Sequence, residues 1–203
     1  MIKAIVFDWW GTLAYRPHVT HLLEKVTGKS HHEVLRAYEK TTCLKFWGNY
    51  ERALDALFKE LNIKDDRKLR KEIKRRLSAV KLYNDVKPVI KDLKKKYKII
   101  MLSNGTNYGE KSLYKFRMNT KFHLILFSAK TKLLKPSKEA YNNMLKLAGL
   151  KKDEVIMIGN TYDDDVVAAE KVGIKAYLLD RQDKHPEVKN RLTNLEQIYR
   201  VLK

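Results

Sequence analysis

Four short stretches carry the residue types that do chemistry when a fold gathers them. Asp8 ends the apolar run of residues 4–7 and precedes Gly11 and Thr12. Ser103, Asn104 and Gly105 end a second apolar run, residues 98–102. Lys135 sits in Leu-Leu-Lys-Pro-Ser, and the run of residues 155–158 ends in Gly159-Asn160 and the acids Asp163, Asp164 and Asp165. A carboxylate at the carboxyl end of a parallel strand can serve as nucleophile, metal ligand or both. It can equally cap the turn that leaves the strand, and both readings stay open on that stretch alone.

These residues converge only if the runs are parallel strands of one sheet. Val, Ile and Leu dominate the runs at residues 4–7, 98–102, 123–127, 155–158 and 176–179. Helical patterns separate them at 88–96, 108–117, 138–148, 166–172 and 194–201, with Gly149 and Gly173 as stops. Strands alternating with helices predict an α/β fold, a Rossmann-like parallel sheet with helices on both faces. Residues 16–83 contain no convincing strand. Their apolar residues recur at helical spacing, most clearly Ala53, Leu54, Leu57, Phe58 and Leu61, and predict a small helical bundle.

Composition limits the function classes. At 44% hydrophobic residues the chain can build a core, so global disorder is excluded. No run is long enough for a signal peptide or a membrane span. The single cysteine, Cys43, fits a reducing cytoplasm. Few Gln and many Lys and Glu point to a thermophile. A net charge of +19 favours anionic partners. The lysines are spread over several helix faces, densest at 64–81 and 91–98, and read as solvated faces. That distribution speaks against nucleic acid and for a small anionic substrate. Histidines 18, 21, 31, 32, 123 and 185 show no metal-binding spacing beyond the adjacent His31-His32, and read as residues of the surface or of the helical segment.

Asp8-Trp9-Trp10-Gly11-Thr12, Ser103-Asn104, Lys135-Pro136 and Gly159-Asn160 to Asp165 occur in the order of the four motifs of the haloacid dehalogenase superfamily, which the whole chain resembles. The resemblance implies a core of residues 1–15 and 84–203 with a helical cap at 16–83. It implies Asp8 as a nucleophile forming a covalent intermediate, with Thr12, Ser103 and Lys135 in the catalytic set. Ser103 and neighbouring backbone N–H groups, with Asn104 and Gly105, would hold an anionic oxygen, and Lys135 would neutralise charge. Mg²⁺ would lie between Asp8, the Trp10 carbonyl, Asn160 and Asp164 or Asp165. The acids also suit the start of the helix that follows them.

The departure from the family pattern is Trp10. Phosphatases of the superfamily usually carry there an aspartate that protonates the leaving group, a function typically worth about 10²- to 10⁴-fold. A Mg²⁺-dependent phosphatase is the leading expectation, slow or restricted to good leaving groups. The alternative is a metal-independent 2-haloacid dehalogenase, whose halide leaves without a proton and whose cap arginine would correspond to Arg36. A binding protein without catalysis is the third reading. Trp10 is expected to wall the pocket and Trp47 to pack within the cap. Either a monomer or a homodimer is compatible with the sequence.

Overall fold

The computed structural model describes residues 1–202. At its centre is β1 (Ala4–Phe7), all four residues of which are buried. Ile5 and Phe7 enter one apolar cluster, and Ala4 and Val6 enter another on the opposite face. A strand covered on both sides has no need of polar alternation, which explains its short, wholly apolar sequence.

The chain leaves β1 through β2 (Ala14–Tyr15) into α1 (Val19–Thr27), α2 (His31–Tyr38), α3 (Tyr50–Leu61) and α4 (Arg67–Ser78), and returns through β3 (Lys81–Leu82). It continues as α5 (Val86–Leu93), β4 (Lys98–Ser103), α6 (Asn107–Lys115), β5 (Leu124–Phe127), α7 (Ser128–Thr131) and α8 (Lys138–Ala148). Then follow β6 (Val155–Gly159), α9 (Ala168–Lys171), β7 (Lys175–Leu179), β8 (Arg191–Leu192) and α10 (Ile198–Val201). The main sheet has six strands in the order β5-β4-β1-β6-β7-β8, with every pair parallel. After β5 the chain passes back across β1 to start β6, so winding reverses beside β1. Ligands of open α/β sheets bind at such a reversal, beyond the carboxyl ends of the strands.

The helical unit has an apolar cluster of its own, including Leu23, Val34, Leu54, Leu57, Phe58 and Ile73. In α4 only Leu69 and Ile73 are buried, so its basic residues lie outward or pair with acids, as Arg70 does with Glu51, Asp55 and Asp65. Ser30 and Glu33 form a reciprocal cap on α2, and Asp66 caps α4.

The structure departs from the sequence expectation in four places. The two crossings between sheet and helical unit form an antiparallel ribbon, β2 with β3, too short at two residues each to leave a periodic signal. Within the helical bundle expected at 16–83, α2 stops at Tyr38 and widens into a π-helical turn, Glu39–Cys43. A second π-helical turn, Tyr162–Val167, replaces the start of the helix expected at 166. β8 was not expected, because its two residues carry no strand pattern.

Arg181 fastens the ribbon to the sheet. Its guanidinium donates to both carboxylate oxygens of Asp85 and to the Thr12 carbonyl, and lies 3.9 Å from the centre of the Tyr83 ring. Tyr83 in turn packs on Tyr15 across the ribbon, with ring centres 4.7 Å apart. Both members of the Arg181–Asp85 pair are largely buried. Arg181→Ala strands Asp85 there and is expected to cost about 3 kcal/mol, read as a lower urea midpoint. A loss under ~0.5 kcal/mol would show that the ribbon pairing suffices without it.

Candidate active site

The carboxyl ends of β1, β4 and β6 bring together three buried charges. Lys135 Nζ donates to Asp8 Oδ1 at 2.9 Å and also bonds Asp165 Oδ1. Lys135 is 3% exposed, Asp8 5% and Asp165 1%, so the pairing is sealed from water. The second Asp165 oxygen accepts from the Thr161 amide at 2.9 Å. Burial opposes the charge on Lys135, but Asp165 and Asp8 outweigh it and hold the ammonium well above its ordinary range. Burial pushes Asp8 above the usual carboxylate range, with Lys135 pulling the other way. The cluster therefore holds one cation against two carboxylates, a standing demand for further positive charge beside Asp8.

Asn104 sets the lysine's position. Its Oδ1 accepts from the Lys135 amide and its Nδ2 donates to the Lys135 carbonyl, both at 2.8 Å. The same Nδ2 donates to Glu39 Oε1 at 2.9 Å. The side chain expected at the substrate is thus spent on holding Lys135 and the helical unit. Gly105 is likewise committed: its N–H donates to Ser128 Oγ at 3.0 Å. A Cβ on Gly105 would come within 2.7 Å of Phe127, so glycine is needed there for packing. Ser103 differs from both. Its hydroxyl is buried, lies close enough to Asp8 to help hold that carboxyl down, and is the one buried side-chain polar atom without a well-formed hydrogen bond among the described residues. An orphan hydroxyl at a strand end suits an oxygen of a bound ligand.

The first and fourth motifs are tied together. Thr12 Oγ1 donates to Asn160 Oδ1 at 3.0 Å. Gly11 takes a positive φ of 83°, and a Cβ there would come within 2.4 Å of the Asn160 amide. The residue types of that turn are therefore dictated by close approach as well as by backbone conformation. Gly159 has no room for a Cβ either, which would fall 2.2 Å from the Asp165 carboxyl carbon.

The π-helical turn separates the three consecutive acids. Asp163 faces solvent, Asp164 is half-buried and Asp165 is buried. Tyr141, within the core, donates its hydroxyl to the Asp164 carbonyl and so fixes the turn. The Asp164 carboxylate has no hydrogen bond among the described residues, and burial pushes its pKa up to about 6. With both Asp165 oxygens occupied, Asp8, the Trp10 carbonyl and Asp164 are the oxygens of the expected metal set left to share an ion. Asn160 Oδ1 keeps one lone pair beyond its bond to Thr12. An all-oxygen set with two carboxylates is the donor chemistry of a hard cation such as Mg²⁺.

Trp10 is half-buried against Gly105 and Gly109, with the Arg16 guanidinium 4.4 Å from its ring centre. Trp9 is core, its indole N–H donating to Ser112 at 2.9 Å. Trp47 packs within the helical unit, donating to the Thr41 carbonyl at 2.9 Å. Its backbone is held across the gap by Asn107, at 3.2 and 3.0 Å, and by the Tyr108 hydroxyl at 3.1 Å. Arg36 is half-exposed and pairs with Glu39 at 3.3 Å. Sequence reasoning missed Glu39, Asn107 and Arg181. Glu39 and Asn107 contribute contacts between units far apart in sequence, and no local pattern marks them.

The Asp164 environment gives a signed prediction. A carboxylate whose folded pKa stands near 6 penalises the folded state when ionised. That penalty is full above about pH 6 and disappears below the ordinary carboxylate pKa of about 4. Asp164→Asn is expected to raise the melting temperature near pH 8, with the gain fading as pH falls from about 6 to about 4. An equal gain at both ends of that range would contradict the assignment.

N-acylneuraminate-9-phosphatase of Rattus norvegicus is 25% identical over 118 residues, which is 55% of this chain and 48% of that protein. The match thus spans about half the length of that curated relative. The HAD phosphatase of Thermococcus onnurineus superposes with a TM-score of 0.70 at 20% identity, covering 99% of this chain and 98% of that one. L-2-haloacid dehalogenase of Xanthobacter autotrophicus, with chloropropionic acid covalently bound, gives 0.72 at 15% identity, covering 100% and 98%. At such identities the structural likeness speaks for the fold alone, and the reactions of those neighbours differ. The sequence itself matches the family of haloacid dehalogenase-like hydrolases across residues 2–173, a span that includes the three strand-end motifs and Lys135, and the chain belongs to that family.

Proposed function

We propose that this hydrolase is a Mg²⁺-dependent phosphatase of a small phosphorylated metabolite, with Asp8 as its nucleophile. The observation that carries the reading is the buried Asp8–Lys135 pair with the Ser103 hydroxyl beside Asp8 and without a well-formed hydrogen bond of its own. Lys135 holds Asp8 in one orientation and offers its positive charge to an incoming anion. The Ser103 hydroxyl donates to a phosphoryl oxygen. Asp8 attacks phosphorus, the alkoxide leaves, and water then cleaves the aspartyl phosphate to release inorganic phosphate and restore Asp8. Mg²⁺, when bound by Asp8, the Trp10 carbonyl and Asp164 with help from Asn160, supplies charge neutralisation on the phosphoryl group. Asp165 stands outside that ligand set and positions Lys135.

Trp10 has no proton to give, so an alcohol leaving group takes its proton from water. Turnover of alkyl phosphates is reduced accordingly, by about 10²- to 10⁴-fold against a site with that acid. The helical unit, residues 16–83, acts as a cap. Glu39 on Asn104 and the Trp47 backbone on Asn107 hold it over the strand ends, and breaking those few polar contacts admits substrate. A second reading, 2-haloacid dehalogenase, is favoured by Trp10 itself, since halide needs no proton.

One assay separates the two. Hydrolysis of p-nitrophenyl phosphate and of L-2-chloropropionate is measured with Mg²⁺ and with EDTA. Nitrophenol release that EDTA abolishes is expected. Chloride release indifferent to EDTA, with no nitrophenol, would replace the phosphatase with the dehalogenase.

A further inference from the structure

Away from Asp8 and Lys135, the helical unit gathers a second set of metal-ligating side chains. His21 and Glu24 stand three residues apart on one face of α1. Gly28, with a φ of 67°, ends that helix, and Ser30 starts the next, so the chain doubles back and places His31 alongside. One ligand atom each from His21, Glu24 and His31 lies within 4.8 Å of the others. His31 Nδ1 already bonds Glu24 Oε1 at 2.6 Å. The His21 ring centre is 5.7 Å from that of His31 and 4.7 Å from that of His18. His21 and His31 are exposed, which leaves the cluster open to solvent.

We propose that His21, Glu24 and His31 form a binding site for a divalent transition-metal ion of the Zn²⁺ type, with His18 beside it as a third imidazole. Two ring nitrogens and one carboxylate oxygen are the donor set of such ions. Magnesium and calcium prefer oxygen throughout and are poorly served here. Ligand atoms around a tetrahedral ion with bonds of about 2.0–2.2 Å stand about 3.4 Å apart, so an ion draws the His21 ring in from within the 4.8 Å limit and parts the His31–Glu24 hydrogen bond, movements open to exposed side chains. The surface of a chain with 43 basic and 24 acidic residues makes nonspecific cation capture unfavourable, so affinity at this point requires real ligands. Sequence spacing hid the site, because His31 arrives from the next helix.

A bound ion joins α1 to α2 and stabilises the helical unit in proportion to its occupancy. The site is separate from the proposed reaction, since none of its residues hydrogen-bonds to Asp8, Ser103 or Lys135 in the described structure.

The test uses the tag-free full chain, stripped with EDTA and titrated with Co²⁺ and then Zn²⁺. Saturable growth of the strong visible absorption of four-coordinate Co²⁺ is expected, followed by its loss as Zn²⁺ displaces Co²⁺ and by a raised melting temperature. His21→Ala and His31→Ala should each weaken binding by at least about tenfold, while Asp164→Asn leaves the absorption intact. Circular dichroism checks that the variants stay folded. Absence of the absorption in the native chain, or its persistence in folded His21→Ala, overturns the proposal. Loss of the absorption in Asp164→Asn alone would assign the cobalt to the strand-end site and overturn it equally.

Discussion

A buried lysine between two carboxylates is the constraint on which the rest of this molecule depends. Lys135 without Asp8 and Asp165 would be an uncompensated charge in the core, and either acid without Lys135 would be as costly. Three segments, the first of them more than a hundred residues from the other two in sequence, must therefore meet within hydrogen-bonding distance. The parallel sheet makes that possible by delivering β1 and β6 side by side with their carboxyl ends level, Phe7 opposite Ile158. Asn104, at the end of β4, then clamps the lysine's backbone from the other side.

The same clamp couples the site to the helical unit. One Asn104 amide nitrogen serves both the Lys135 carbonyl and Glu39. Movement of the helical unit is thus felt at the loop carrying the lysine through a single side chain. Glu39 reaches that position because the helix widens into a π-helical turn at its end, a distortion often found where a side chain must be aimed. The second such turn sends Asp164 toward the site and Asp165 under it. Both irregularities cost regular hydrogen bonding, and each places a carboxylate.

Much of this was legible in the sequence. Apolar runs ending in Asp8, Ser103 and Gly159-Asn160 are fixed by burial on two faces, which admits few polar residues before the strand ends. The helical unit announced itself through the stripe from Ala53 to Leu61. What stayed hidden depends on contacts between distant segments. Asn104 reads as a substrate ligand from its place beside Ser103, and only the fold shows its amide spent on Lys135. Asp164 and Asp165 are equivalent in sequence and are separated only by the pitch of the turn that carries them. Arg181 and Asp85 have no local signature, yet together they secure the passage between the two units.

The central claim is that Asp8 becomes covalently bonded to the substrate while Lys135 holds it. Rapid acid quenching of the enzyme during turnover of p-nitrophenyl phosphate with Mg²⁺, followed by mass spectrometry of the peptide carrying residue 8, tests it directly. The account predicts a transient phosphoryl adduct on Asp8 that forms at least as fast as turnover and is absent from Asp8→Asn, which is folded and inactive. Turnover of the native enzyme without an adduct, together with undiminished activity in Asp8→Asn, would contradict it.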